Sequence, residues 1–202
     1  VYQRAKKELD KRPFGTMLDV YKEQYEWLLH SIAPQPPAPL ADLRVVVGHG
    51  AQAYSASLLN ISAMSYGALS ANAVRSLNKG AKAGGFFHDT GEGGISPYHR
   101  EFGGDLVWEL GSGYFGARDG KGGFDPARFA EAAADPQIKM VELKLSQGAK
   151  PGHGGVLPAA KVTAEISRIR GVPIGQDCIS PASHAEFSTP VGLLEFVARM
   201  RE

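Results

Sequence analysis

Residues 138–155 read IKMVELKLSQGAKPGHGG, and the change of pattern within them decides the fold that we predict. Apolar and polar side chains alternate up to position 145, as they do in a β-strand with one buried face. The apolar face carries three residues, Val141, Leu143 and Leu145. Glycine and polar residues follow, among them Gln147 and Lys150. The stretch therefore predicts a strand that ends in a polar, glycine-rich loop.

Strands and helices alternate along much of the chain. Three earlier segments, 58–64, 86–90 and 105–110, also predict strands. The predicted helices are 70–84, 125–134, 158–171 and 189–200, and three of them begin after a capping residue, Ser70, Asp125 or Thr189. Residues 173–180 predict a further strand or extended segment. Such alternation is typical of an α/β fold with a parallel sheet.

Two architectures fit this alternation, a doubly wound open sheet and a (β/α)8 TIM barrel. Polar residues collect directly after the strands, at 62–67, 89–94, 145–152 and 179–184. In a barrel the loops that follow the strands share one face, where active sites lie. This pattern favours a partial (β/α)8 TIM barrel that contains about the first four βα units.

The chain divides into two predicted regions. Residues 1–43 form an N-terminal helical extension, with a helix at 16–30 and a proline-rich connector after it. Residues 44–202 form the N-terminal half of the barrel, since a whole barrel needs about 250 residues. We therefore expect the protein to continue on at least one side of this chain. A half barrel also leaves open sheet edges, which predict self-association.

Composition excludes several classes of function. The net charge of +1 in 202 residues gives no reason to expect a nucleic-acid partner. Cys178 is the one cysteine, so the chain holds no internal disulfide and no cysteine-built cluster. The six histidines lack metal-ligand spacing, and we predict no metal site. No apolar run reaches 18 residues. We expect a cytoplasmic location, with membrane association through a segment N-terminal to this chain left open.

Glu92 and Lys144 are the side chains most suggestive of chemistry. Glu92 stands in DTGEGG, residues 89–94, where glycines permit close approach of a ligand. It is placed for proton transfer or amine binding, or it is a solvated turn residue. Lys144 falls on the inner face of its strand, where a lysine is costly unless paired. It can pair with Glu142 or meet a ligand. Lys150 can meet a carboxylate or phosphate, or be solvated.

One glycine-rich motif is only weak evidence for dinucleotide binding. Residues 111–116, GSGYFG, fit the spacing of a dinucleotide-binding loop. Such a loop should open a helix, but the sequence ARDGKGGFD that follows is typical of a loop. We interpret 111–116 as an ordinary glycine-rich connection.

Three long motifs together resemble one known family. They are LLNISAMSYGALSANAV at 58–74, GGFFHDTGEGGISPYHREFGGDL at 84–106 and KLSQGAKPGHGGVLPAAKV at 144–162. In order and approximate spacing they resemble the FMN-binding domain of the glutamate synthase family, over residues 44–202. Residues 13–31 resemble the lead-in of its single-domain, glutamate-synthase-like branch.

The resemblance implies an FMN-containing barrel that reduces 2-iminoglutarate, formed from 2-oxoglutarate and ammonia, to glutamate. It implies that the flavin ring is lined by Ser62, Ala63, Met64 and Ser65, with Lys144 and Gln147 at its edge. A cation at that edge stabilises the negative charge of a reduced flavin. Glu92 and Lys150 would be the catalytic pair that holds the keto acid and its imine. The electron donor would be ferredoxin or NAD(P)H, and any iron–sulfur cluster would be bound outside this chain.

The chain departs from the family pattern on the substrate side. Val156 stands where the family usually has a glutamine that helps to bind 2-oxoglutarate, and ISPASHAE at 179–186 replaces ISPPPHHD. The family's phosphate site also lies outside these residues, so we expect the chain alone to be inactive and to bind FMN weakly or not at all. Two alternatives stay open: a non-catalytic barrel fragment or scaffold, and a flavin barrel enzyme with another substrate.

Overall fold

The computed structural model describes residues 43–147 and 152–202 together with scattered positions between 19 and 39. Two compact units are present, Val1–Ala38 and Pro39–Glu202. The helix predicted at 16–30 falls largely outside the described residues, and the described positions within it are exposed and not helical. Lys150 also lies outside them. No helix in the described ranges is long and apolar enough to cross a membrane.

The second unit is a mixed α/β structure with three small sheets. Strand β1 (Arg44–Val47) pairs antiparallel with β2 (Tyr54–Ser57). Strands β3 (His88–Asp89), β4 (Leu106–Leu110) and β5 (Ile138–Leu143) form a parallel sheet in that order. Strand β6 (Val156–Leu157) pairs antiparallel with β7 (Cys178–Ile179). The central parallel sheet confirms the predicted α/β fold class.

The segment predicted as the first strand, 58–64, is only partly strand-like. Its first residues continue from β2 and are exposed, with Leu58 and Leu59 at 64% and 72%. Its second half joins the parallel sheet at a single bridge between Ile61 and His88. The Ile61 N–H donates to Phe87 O at 3.0 Å, and the Asp89 N–H donates to Ile61 O at 2.9 Å. The four parallel segments therefore lie in chain order.

The strand or extended segment predicted at 173–180 does not add to this sheet. Its only strand residues are Cys178–Ile179, which pair antiparallel with Val156–Leu157. A 3-10 turn at Ala159–Lys161 and a helix at Ala164–Arg170 lie between these two strands, which form a small sheet of their own. Among the described residues β5 pairs only with β4, so the sheet is open and no closed barrel is formed.

The helices begin at the residues that their sequences favour. They are α1 (Ala71–Gly84), α2 (Pro97–Arg100), α3 (Pro126–Ala133), α4 (Ala164–Arg170) and α5 (Pro190–Met200). Side chains of Ser70, Asp125 and Thr189 accept hydrogen bonds from first-turn N–H groups, as predicted. The helix predicted at 158–171 begins later, because Thr163 caps α4 and a separate 3-10 turn occupies Ala159–Lys161.

The core lies on one face of β4 and β5. Every residue of β4 is buried. Trp108 and Leu110 pack in one apolar cluster with Phe129 of α3 and Phe196 of α5. Val141 and Leu143 pack against the same cluster, as the alternation predicted, whereas Leu145 is 53% exposed. Because side chains alternate along a strand, the residues between these face the opposite side. That opposite face carries the polar groups described next.

Candidate functional site

A cavity of about 300 Å³ opens where the parallel strands end. Its walls come from the segments that follow residue 61, β3 and β5, from Glu109 of β4, and from residues of β6 and α4 together with Ser180. Five residues predicted to contact cofactor or substrate line it: Ala63, Ser65, Glu92, Lys144 and Gln147. A larger concavity of about 710 Å³ lies beside α2 and α3, but ion pairs such as Arg100 with Asp135 lie there and no strand end reaches it. We therefore take the first cavity as the candidate site.

Two predicted contact residues lie beside the cavity rather than on its wall. Ser62 is exposed and Met64 is half-buried. The Met64 N–H donates to Asp89 O at 3.1 Å, which ties this segment to β3. Gly91 has a φ of 66°, and a side chain there would begin 2.6 Å from the Ser65 nitrogen. Glycine at 91 thus lets the two loops touch.

Glu92 is held inside the site. Gln147 Nε2 donates to Glu92 Oε1 at 2.8 Å. Glycines stand on both sides of the carboxylate: a Cβ at Gly111 would lie 2.7 Å from Glu92 Oε2, and a Cβ at Gly155 would lie 2.2 Å from Glu92 Oε1. The side chain is half-buried. Three separate loops therefore define where this carboxylate can be.

Gly155→Ala is expected to displace the Glu92 carboxylate with little loss of stability. The new methyl group meets the end of a flexible side chain rather than backbone. Glu92 must rotate away, which breaks its hydrogen bond with Gln147. We expect activity to fall at least tenfold while the melting temperature changes little. Gly120→Ala is the matched control, since nothing lies within 4 Å of that position. Unchanged activity in Gly155→Ala would show that the carboxylate position is unimportant.

Lys144 pairs across strands with Glu109. Lys144 Nζ lies 3.3 Å from Glu109 Oε1. The side chain of Glu109 is only 5% exposed and that of Lys144 is 25% exposed. The pairing with Glu142 considered from the sequence is thus wrong, because the neighbouring strand presents a carboxylate closer to the ammonium. Burial raises the pKa of Glu109, and the adjacent Lys144 partly offsets that rise.

Three carboxylates, one of them the Lys144 partner Glu109, lie close together. Carboxylate oxygens of Asp89, Glu109 and Glu142 all lie within 4.8 Å of one another. Glu109 and Glu142 are direct partners in the β4–β5 register. Burial, together with a hydrogen bond to Glu142, raises the pKa of Asp89 to about 8. Asp89 therefore carries a proton at neutral pH, and this proton joins two acids that would otherwise repel.

Asp89→Asn is expected to stabilise the protein at alkaline pH. The folded state holds a proton on Asp89 that the unfolded state releases, so stability is lost as pH rises through about 8. Asparagine keeps the oxygen that accepts the Gly91 N–H at 2.8 Å and carries no charge. Between pH 6 and pH 9 the stability of the variant relative to wild type should rise by about 3 kcal/mol, since about two pH units of titration lie below the pKa of Asp89 and each is worth about 1.4 kcal/mol. Urea unfolding at both pH values, with Glu195→Gln as the exposed control, measures this, and parallel pH profiles would contradict it.

Arg170 is a site residue that the sequence reasoning missed. It is 6% exposed, and it lines the cavity from α4. Its Nη2 donates to Tyr66 O at 3.2 Å, while its Nε has no hydrogen-bond partner among the described residues. The helical pattern could have indicated this position, because Arg170 lies four residues after Ile166 and therefore on the same inward face of the helix. The guanidinium adds a second cation to the wall that carries Lys144.

Comparison with known proteins identifies the family. The model for the conserved region of glutamate synthase matches residues 48–202. A glutamate synthase large subunit-like protein, YerD, of Bacillus subtilis (strain 168) is 42% identical over 164 residues. The archaeal-type glutamate synthase [NADPH] of Thermotoga sp. (strain RQ2) is 39% identical over 140 residues, and the archaeal glutamate synthase [NADPH] of Methanocaldococcus jannaschii is 39% identical over 142 residues. The chain belongs to the glutamate synthase family.

The matched region is a part of each relative. The alignment takes in 80% of this chain and 31% of the Bacillus protein, and 69% of this chain and 25% of the Thermotoga protein. The chain thus spans between a quarter and a third of the curated relatives. It contains the cavity described above, while most of each relative lies outside the match.

Proposed function

We propose that this chain forms part of an FMN-dependent, glutamate-synthase-like oxidoreductase that reduces a 2-imino acid to an amino acid. The observation that carries the proposal is the joint presence of Lys144, Gln147 and Glu92 in one cavity at the strand ends. Membership of the glutamate synthase family supports it. The imino acid that we propose is 2-iminoglutarate, formed from 2-oxoglutarate and ammonia.

The sheet supports the proposal that this region is half of a (β/α)8 barrel. Residue 61, β3, β4 and β5 are parallel neighbours in chain order, and helices follow them. That order is the one found in a (β/α)8 barrel, in which active sites lie at the carboxyl ends of the strands. The cavity lies at that end of these strands.

The cavity residues suit a flavin ring. Gly91 and Gly155 line the cavity without a side chain, and Ser65 and Glu92 pack against them. Ala63 and Ser65 offer small side chains on one wall, while Lys144 and Gln147 offer hydrogen-bond donors on another. We propose that these four residues, with the backbone around Ser62 and Met64, hold FMN. FMN would supply hydride transfer when bound. Lys144 would place a positive charge at the ring edge.

The same cavity offers partners for an acidic substrate. The Arg170 guanidinium lies on the cavity wall, and guanidinium groups bind carboxylates strongly. Glu92 carries a carboxylate that can hold an iminium nitrogen or move a proton to the substrate. We propose that Arg170 and Lys150 bind substrate carboxylates and that Glu92 faces the imine.

Val156 favours a second candidate, a flavin enzyme of the same family with a different acid. Val156 lines the cavity with an apolar side chain that is 52% exposed. It cannot donate a hydrogen bond to a substrate carboxylate or carbonyl. A 2-oxo acid with an apolar side chain would suit that wall better than 2-oxoglutarate.

The electron donor is proposed from the relatives. The names of the Thermotoga and Methanocaldococcus proteins specify NADPH. We propose NADPH as the donor, with ferredoxin as the alternative, delivered through parts of the protein outside this cavity.

The function is tested by reoxidation of the flavin in the full-length protein. The purified protein is reduced without oxygen and mixed with a 2-oxo acid, with and without ammonia. Reoxidation that requires both 2-oxoglutarate and ammonia supports the first proposal. Faster reoxidation with an apolar 2-oxo acid favours the second. Protein that takes up no FMN would eliminate both and favour a scaffold role.

A further inference from the structure

Two buried histidines each donate a hydrogen bond to the backbone of a proposed flavin-contacting residue. We propose that His99 and His184 are positioning residues that hold opposite sides of the cavity through the carbonyl groups of Met64 and Lys144. This inference rests on the proposed FMN site and assigns to that site two residues that do not line the cavity. Both histidines approach from loops or helices outside the parallel strands.

His99 holds the segment that follows residue 61. Its Nε2 lies 3.0 Å from Met64 O. Its Nδ1 accepts the Ser96 N–H at 3.1 Å and lies 2.8 Å from Ser96 Oγ. A backbone N–H can only donate, so Nδ1 must be unprotonated, and Nε2 must carry the proton that reaches Met64 O. The ring is fully buried.

His184 holds the end of β5 in the same manner. Its Nε2 lies 2.7 Å from Lys144 O, and its Nδ1 lies 3.2 Å from Tyr114 Oη. The Glu186 N–H donates to Tyr114 Oη at 3.3 Å. The tyrosine hydroxyl can then donate to Nδ1, which leaves the proton on Nε2 for Lys144 O. Each donor in this chain of three bonds faces an acceptor.

Tyr114, which bonds to His184, has a strained backbone conformation. Its φ of 50° is the only positive value at a non-glycine residue in the described chain. Bulky residues rarely adopt this region, so the surrounding structure must compensate for the strain. The ring is completely buried, and its hydroxyl reaches the His184 ring. The strained residue thus lies in the chain of bonds that fixes Lys144.

The two histidine hydrogen bonds lie at residues where strand pairing ends and a loop begins. The Lys144 N–H still donates to Leu110 O at 3.0 Å, in continuation of β5. The Met64 N–H likewise donates to Asp89 O at 3.1 Å. The histidines bind the carbonyl groups of the same two residues, and so the peptide groups on both sides of each residue are fixed. A shift at either residue would move groups that line the cavity.

A third buried histidine lacks the hydrogen bond to the cavity backbone that the other two make. His88 is fully buried, and neither of its ring nitrogens has a partner among the described residues. Its ring lies 5.2 Å from that of His99, and it makes no bond to the cavity backbone. His88 therefore serves as a control for a change in a buried histidine that positions nothing.

The acceptor role of Nδ1 in each ring requires a neutral imidazole, because Nδ1 of His99 accepts the Ser96 N–H and Nδ1 of His184 accepts the Tyr114 hydroxyl. Burial lowers the pKa of His99 and of His184, and both remain neutral near pH 7. The titratable neighbour of His99 is His88, and that of His184 is Tyr114, beyond which lie Glu186 and Arg199. A proton on Nδ1 of His99 would oppose the Ser96 N–H and break the arrangement.

The proposal is tested by FMN affinity in the full-length protein. Apoprotein of wild type, His99→Ala, His184→Ala and Tyr114→Phe is titrated with FMN by fluorescence quenching, with His88→Leu and the exposed His49→Ala as controls. We expect the dissociation constant to rise at least tenfold in both histidine-to-alanine variants. Tyr114→Phe should raise it by a smaller factor, and the controls should match wild type. Affinities like wild type in both alanine variants would overturn the inference but leave the proposed function intact. Wild type that binds no FMN would overturn the proposed function itself.

A second measurement is made on the wild-type protein and uses variants only to assign its signals. Nitrogen-15 spectra of the wild-type histidines at neutral pH should show two buried rings protonated only at Nε2, assigned by comparison with His99→Gln and His184→Gln. A proton on Nδ1 of either ring at pH 7 would contradict the arrangement whether or not any variant loses FMN.

Discussion

Glu92→Gln is expected to lower the turnover number by about 10²- to 10⁴-fold, the range typical for loss of a general acid or base. Glutamine keeps the shape of the side chain and an oxygen that can still accept the Gln147 amide proton. The change therefore removes the charge and the proton-transfer capacity, and leaves the packing between Gly111 and Gly155 intact. FMN content and melting temperature should stay near those of wild type.

The informative comparison is between turnover and flavin content in the same preparation. Glu101→Gln is the matched control, since Glu101 pairs with Arg75 at the surface. The control should retain full turnover. If Glu92→Gln loses flavin and turnover in equal proportion, Glu92 supports the structure of the site and not the chemistry.

Lys144→Met is expected to weaken both FMN binding and folding. Methionine leaves the Glu109 carboxylate buried without its cation, and breaking a buried pair by removal of one partner costs about 3 kcal/mol. The pKa of Glu109 should rise further, because Lys144 is the group that lowers it. The loss of a cation at the cavity wall should raise the FMN dissociation constant at least tenfold. Urea unfolding and FMN titration of the full-length protein measure the two effects.

The double variant Lys144→Met with Glu109→Gln separates the two effects. Removing the unpaired carboxylate should restore most of the lost stability. It should not restore FMN affinity, because the cation is still missing. Lys139→Met, at an exposed position of β5 away from the cavity, is the control and should match wild type in affinity. Recovery of both properties in the double variant would show that Lys144 has no role beyond neutralising Glu109.

Local patterns in the sequence predicted local structure well. Capping residues such as Ser70 and Thr189 gave the helix starts. The alternation in 138–145 placed Val141 and Leu143 in the core and Lys144 on the other face. Both kinds of signal act within a few residues of the chain, where steric and hydrogen-bonding preferences are strongest.

Contacts between segments that are far apart in the sequence could not be predicted from such local patterns. Glu109 became the partner of Lys144 because of the β4–β5 register, which no single segment encodes. The pairing of Val156–Leu157 with Cys178–Ile179 joins two segments that α4 separates in the chain. Arg170 reaches the cavity from a helix that begins 20 residues after β5. In each case the contact is determined by packing between residues that are far apart in the sequence.

The most direct test of the central claim is the FMN content of protein with a blocked cavity. Ala63→Trp would fill the cavity wall from a small, exposed position, and Ala127→Trp at the start of α3 is the matched control. Full-length wild type and Ala127→Trp should purify with a stoichiometric amount of FMN, and Ala63→Trp should contain almost none. Stoichiometric FMN in Ala63→Trp would place the flavin elsewhere and contradict the assignment of this cavity.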